Sequence, residues 1–79
     1  MIAKQEIIQR IQQRFDDAEV HVEDPNGDGY KIHIDVKTKA FAGLNRVKQH
    51  QAIMALFNEE LRSGKMHAIS LNTAIKKEE

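Results

Sequence analysis

The turn-rich run Asp24-Pro25-Asn26-Gly27-Asp28-Gly29 constrains this chain more than any other stretch. Each of its residues favours tight turns for a backbone reason. On both sides the sequence alternates between apolar and polar residues. From Ala18 to Glu23, Val20 and Val22 point one way, and Glu19, His21 and Glu23 the other. From Tyr30 to Val36, Ile32, Ile34 and Val36 point inward, and Lys31, His33 and Asp35 outward. A period of two marks half-buried strands. The segment therefore predicts an antiparallel hairpin with a loop longer than the minimal two residues. If Val22 and Ile32 are near neighbours on the core side, His21 lies close to Lys31 or His33 on the outer side.

A two-stranded hairpin needs apolar cover, and the flanking segments supply it. Ala3 to Phe15 predicts a first helix with Ile7, Ile8, Ile11 and Phe15 on its buried stripe. Phe41 to Leu61 predicts a turn and then one long amphipathic helix. Val47, His50, Met54, Phe57 and Leu61 recur there at helical spacing. Asn45 suits the N-cap and Gly64 the C′ position. Met66 to Thr73 predicts a third strand with Ile69 and Leu71 on one face. Ala74 to Glu79 is a polar tail expected to fray. The order is αββααβ, an α+β arrangement with a three-stranded mixed sheet covered on one face by two helices. Residues 1–79 form a single domain on this reading.

Composition narrows the chemistry. The chain of 79 residues has no cysteine, so it offers no thiol nucleophile, redox pair or thiolate ligand. Any sulfur at a soft metal centre has to come from a partner. The formal net charge is +0, yet the charge is unevenly spread. Phe15 to Gly29 carries only acidic charges, whereas Lys37, Lys39, Arg46 and Lys48 make the next stretch basic. No run approaches the ~20 apolar residues of a membrane-spanning helix. The N-terminus lacks the apolar core of a signal peptide, so a cytoplasmic location is expected. Asp24 to Gly29 matches the start of a calcium-binding EF-hand loop, but Lys31 and Asp35 stand where an apolar residue and a bidentate Glu belong. Ser63 and Ser70 lack the glycines of a nucleophile elbow, and no catalytic constellation stands out.

The αββααβ order is also that of a type II KH domain, whose G-x-x-G loop clamps nucleotides. Here the corresponding turn is Gly43-Leu44-Asn45-Arg46, with arginine in place of the second glycine.

The motif Phe41-Ala42-Gly43, Arg46-Val47, His50, Gly64 and His67-Ala68-Ile69-Ser70 resembles the BolA-like proteins, most closely their compact bacterial members. The resemblance spans most of the chain. It implies a non-enzymatic adaptor that binds a monothiol CGFS-type glutaredoxin and co-ligates a [2Fe–2S] cluster with the glutaredoxin cysteine and glutathione. Such an adaptor serves iron–sulfur and iron homeostasis and the stress response. The family's C-terminal-strand histidine corresponds to His67. Many relatives carry a second ligand in G-D-G-x-H, where this chain has Lys31. An ammonium has no lone pair for iron; either His33, two residues on and on the same side, substitutes, or the site has His67 as its only histidine from this chain. Arg46 and Lys48, with His67, would line the docking edge, and His50 would serve fold or orientation. The relatives' tyrosine-threonine-proline ending is replaced by Asn72-Thr73-Ala74-Ile75. The protein is expected to be a monomer alone and a heterodimer with its partner. The alternative is a DNA- or RNA-binding transcriptional regulator that uses Lys37, Lys39, Arg46 and Lys48.

Overall fold

The computed structural model describes residues 3–25, 27, 31–66 and 68–77. Its order is α1 (Lys4–Arg14), β1 (Glu19–Glu23), β2 (Lys31–Thr38), a 3-10 turn (Lys39–Phe41), α2 (Arg46–Met54), a second 3-10 turn (Ala55–Phe57), α3 (Asn58–Ser63) and β3 (Ala68–Ile75). The sheet runs β1-β2-β3. β1 and β2 are antiparallel and β2 and β3 parallel, so the sheet is mixed as expected. The fold class is α+β.

Helix α1 forms where predicted. Ile7 and Ile11 are wholly buried and Phe15 nearly so. Phe41 is also wholly buried, edge-on to Phe15 with ring centroids 5.5 Å apart. The aromatic residue that opens the family-like motif is therefore a core residue. Beneath the helices, Ile32, Ile34 and Val36 are at most 3% exposed. At ~25 cal/mol per Å² of apolar surface, this cluster supplies the main folding force of so small a domain.

The second helical segment departs from expectation in two ways. It is not one helix, because Ala55–Phe57 tightens to 3-10 and Phe57 leaves the helical region at φ −122°, ψ 19°. Arg10 holds this break from α1. Its Nη1 donates to the Leu56 carbonyl at 3.1 Å and to Glu60 Oε1 at 2.6 Å, and its guanidinium lies 5.2 Å from the centroid of the Phe57 ring. The buried stripe is also displaced. Val47 is 63% exposed, and His50 and Met54 are only half-buried; the buried positions are Gln49, Ile53 and Phe57. Gln49 enters the core because its amide is satisfied there. Nε2 donates to the Leu44 carbonyl at 2.8 Å, and Oε1 accepts from Thr73 Oγ1 at 2.7 Å. A hydropathy pattern treats such a glutamine as surface and misframes the helix. The caps agree with expectation: Asn45 Oδ1 accepts from the Lys48 backbone N–H at 2.9 Å, and Gly64 ends α3 in the left-handed region at φ +82°.

The strand ends also move. β2 continues to Thr38 and β3 to Ile75, so Ala74 and Ile75 belong to the sheet and not to a frayed tail. Lys76 follows with its backbone N–H on the Thr38 carbonyl. Asp17 organises this corner. Its carboxylate accepts from Thr38 Oγ1 and from the Lys39 backbone N–H, and its carbonyl accepts from Lys76 Nζ. The Thr38 hydroxyl, followed by the Lys39 amide, holds the Asp17 carboxyl below its ordinary pKa.

Candidate functional site

The hairpin register sets the geometry of the helix-free face. Val22 pairs with Ile34, not Ile32, which puts His21 opposite Asp35 and Glu23 opposite His33. Imidazoles and carboxylates thus alternate across the two strands. His21 Nε2 lies 3.0 Å from Glu23 Oε1 on an open part of this face.

His33 is the more constrained of the two, with its side chain 30% exposed. Its Nε2 lies 3.1 Å from Asp35 Oδ1, which also accepts from Asn72 Nδ2 at 3.1 Å. A carboxylate only accepts, so in the neutral ring this contact requires the proton on Nε2 and leaves the lone pair on Nδ1. The parallel ladder sets His33 opposite Ser70 and Lys31 opposite Ala68. Pro25, Lys31, Ile32, His33, Ile69 and Ser70 line a shallow hollow of about 290 Å³ here. His67, the leading ligand expected from sequence, lies outside the described residues, as do turn positions Asn26, Asp28, Gly29 and Tyr30. Its chain neighbour Ala68 opens β3 one ladder step beyond the pair made by Ile32 and Ile69.

The four basic residues expected to form one edge fall into two groups. Lys37 and Lys39 share a groove of about 730 Å³ with Lys76 and Lys77, walled also by Glu19, Ala74 and Ile75. Arg46 and Lys48 are not among its walls; they stand exposed in the first turn of α2. The lysine pair at 76 and 77 was missed because it reads as a solvated tail. The extension of β3 to Ile75 brings it to the sheet.

Among the described residues, no group of three His, Asp or Glu side chains is arranged to hold a metal ion. Also among the described residues, no helix is long and apolar enough to cross a membrane.

Comparison with known proteins agrees with this architecture. BolA1 from Arabidopsis thaliana superposes with a TM-score of 0.81 at 23% identity, covering 95% of this chain and 93% of that one. The BolA domain of SufE1 from Arabidopsis thaliana gives 0.80 at 26% identity, covering 95% of each. An uncharacterized bolA-like protein of Schizosaccharomyces pombe is 35% identical over 49 residues, which are 62% of this chain and 40% of that protein. The match thus spans less than half the length of this curated relative. The model of the family described as BolA-like protein matches residues 5–78. By that match, which takes in nearly every residue, the chain belongs to the BolA-like protein family.

Proposed function

We propose that this domain is a non-enzymatic cytoplasmic adaptor that binds a monothiol glutaredoxin and shares a [2Fe–2S] cluster with it and with glutathione. The observation that carries the reading is the placement of His33. Its side chain lines a hollow beside the start of β3, and a carboxylate lies against Nε2, so that Nδ1 is the atom of the neutral ring left to bind iron. Outer-sphere carboxylates of this kind fix the tautomer and raise the basicity of a ligating imidazole. The donor set fits a shared group and not a resident one. The chain has no thiolate, and cluster iron prefers sulfur, so a partner has to complete the coordination. His67 and His33 would face the cluster, while Arg46 and Lys48 would meet the partner's acidic surface. When bound, the cluster supplies a redox-active and transferable iron–sulfur unit.

The test mixes the protein with cluster-loaded monothiol glutaredoxin and records visible circular dichroism. The spectrum should change on mixing. It should revert fully in His67→Ala and partly in His33→Ala. An unchanged spectrum with the wild-type chain refutes the reading.

A second reading is favoured by one specific feature, the groove bearing Lys37, Lys39, Lys76 and Lys77. Four ammonium groups at one end of a sheet suit a phosphate backbone, as a DNA- or RNA-binding regulator requires. Binding to duplex DNA would then weaken with salt at a slope of about 0.9 per phosphate contacted. Replacing Lys37 and Lys77 by alanine should flatten that slope. Affinity that ignores salt rejects this alternative.

A further inference from the structure

β3 lies at one side of the sheet and pairs only with β2. Among the described residues, no backbone hydrogen bond outside the helices and ladders reaches its outer side. Such an edge presents a row of N–H and C=O groups to any strand that approaches. Proteins usually blunt it with charge, proline, a bulge or short length. β3 runs for eight residues as AISLNTAI, with no charge and no proline. β1, at the opposite edge, is five residues long and carries Glu19 and Glu23. The core side of β3 is also thinly covered. Ile69 and Leu71 are only partly buried, and Ile75 is 48% exposed.

We propose that β3 pairs antiparallel with β3 of a second copy of this chain, about a two-fold axis through Asn72. The two sheets become one of six strands. This register keeps like faces together. It sets Leu71 opposite Thr73, Ser70 opposite Ala74 and Ile69 opposite Ile75, so the exposed isoleucine gains an apolar cross-strand neighbour. An uncharged strand meets itself without like-charge repulsion, which a self-complementary interface requires. The assembly also closes. Both outer edges of the dimer are β1, where Glu19 and Glu23 oppose further addition. A second copy is therefore the occupant that uses up the bare edge and stops. This departs from the monomer expected from sequence, and it neither uses nor requires the glutaredoxin reading.

The cysteine-free chain makes the test direct, because an introduced thiol reports one position. Asn72→Cys should form a covalent dimer under mild oxidation, since opposed residues bring their Cβ atoms to ~4.5–5.5 Å. Ser70→Cys should not, because its own counterpart lies ~13 Å away along the strand. Glu23→Cys on β1 should not either. In sedimentation of the unmodified chain, a monomer–dimer equilibrium is expected. Ser70→Lys should weaken it by roughly tenfold or more while leaving the far-ultraviolet spectrum intact. A chain that stays monomeric at every concentration overturns the proposal. So does equal cross-linking at 23, 70 and 72, or a dimer that Ser70→Lys leaves unchanged.

Discussion

The two edges of the sheet handle the same physical problem differently. β1 is short, exposes Glu19, His21 and Glu23 along its outer face, and is covered on its inner face by α1. β3 is longer, uncharged and less deeply buried, although α2 packs on it. Both edges lean on the same central strand, whose inner residues are almost wholly dry. Burial and edge protection are therefore separate properties. A strand can be anchored through one face while its hydrogen-bonding side stays open, and that side is then available for association.

The largest effect should come from Ile34→Ala, which removes a fully buried side chain from the strand that both edges share. A loss of about 2–5 kcal/mol is expected in urea unfolding. A loss below about 1 kcal/mol would show that β2 is not the common support. Next is Gln49→Ala, which strands the Thr73 hydroxyl and the Leu44 carbonyl beneath α2 and loosens the β3 side alone. A loss of about 1–3 kcal/mol is expected. Combining it with Thr73→Val should cost less than the two single changes added together. Arg10→Met cuts the ties from α1, which covers β1, to Leu56 and Glu60 of the second helical segment, at about 1 kcal/mol given its partial exposure.

A pH titration tests the corner that joins the two sides. The Asp17 carboxyl is held below its ordinary value of 3.8 by the Thr38 hydroxyl and then the Lys39 amide. Its contribution is therefore complete above the unfolded pKa and is lost as pH falls through the lower folded value. Asp17→Asn should flatten the acid limb of the unfolding midpoint and leave the neutral-to-alkaline slope alone. The smallest effect belongs to Val47→Ser, within about 0.5 kcal/mol, because that side chain is 63% exposed. A larger loss would restore Val47 to the buried stripe.

Much of the fold was legible in the residues because period-two and helical patterns leave few topologies for a chain this short. Asn45 and Gly64 announced the limits of the second helical segment correctly. The frame of that segment was not legible, since Gln49 is buried by hydrogen bonds that depend on Thr73, distant in sequence. Strand ends failed for a similar reason. Thr38 and Ala74 look like surface until Asp17 and the parallel ladder claim them. At the candidate site, the alternation showed which side His33 occupies, while its pairing with Asp35 and Asn72 required the register of all three strands. The basic residues misled because proximity in sequence differs from proximity in space: Lys37 and Lys39 sit with Lys76 and Lys77.

The Asp17 corner closes late in synthesis. Its partners Thr38 and Lys76 lie 21 and 59 positions further along the chain. As the domain leaves the ribosome, α1 and the hairpin can meet early, but the β2–β3 half of the sheet waits for the last strand. Until then β2 offers its bare side to the surroundings, and nascent chains are most prone to stray pairing in that interval. Arrival of Lys76 fastens the newest segment to one of the oldest turns and ends the exposure.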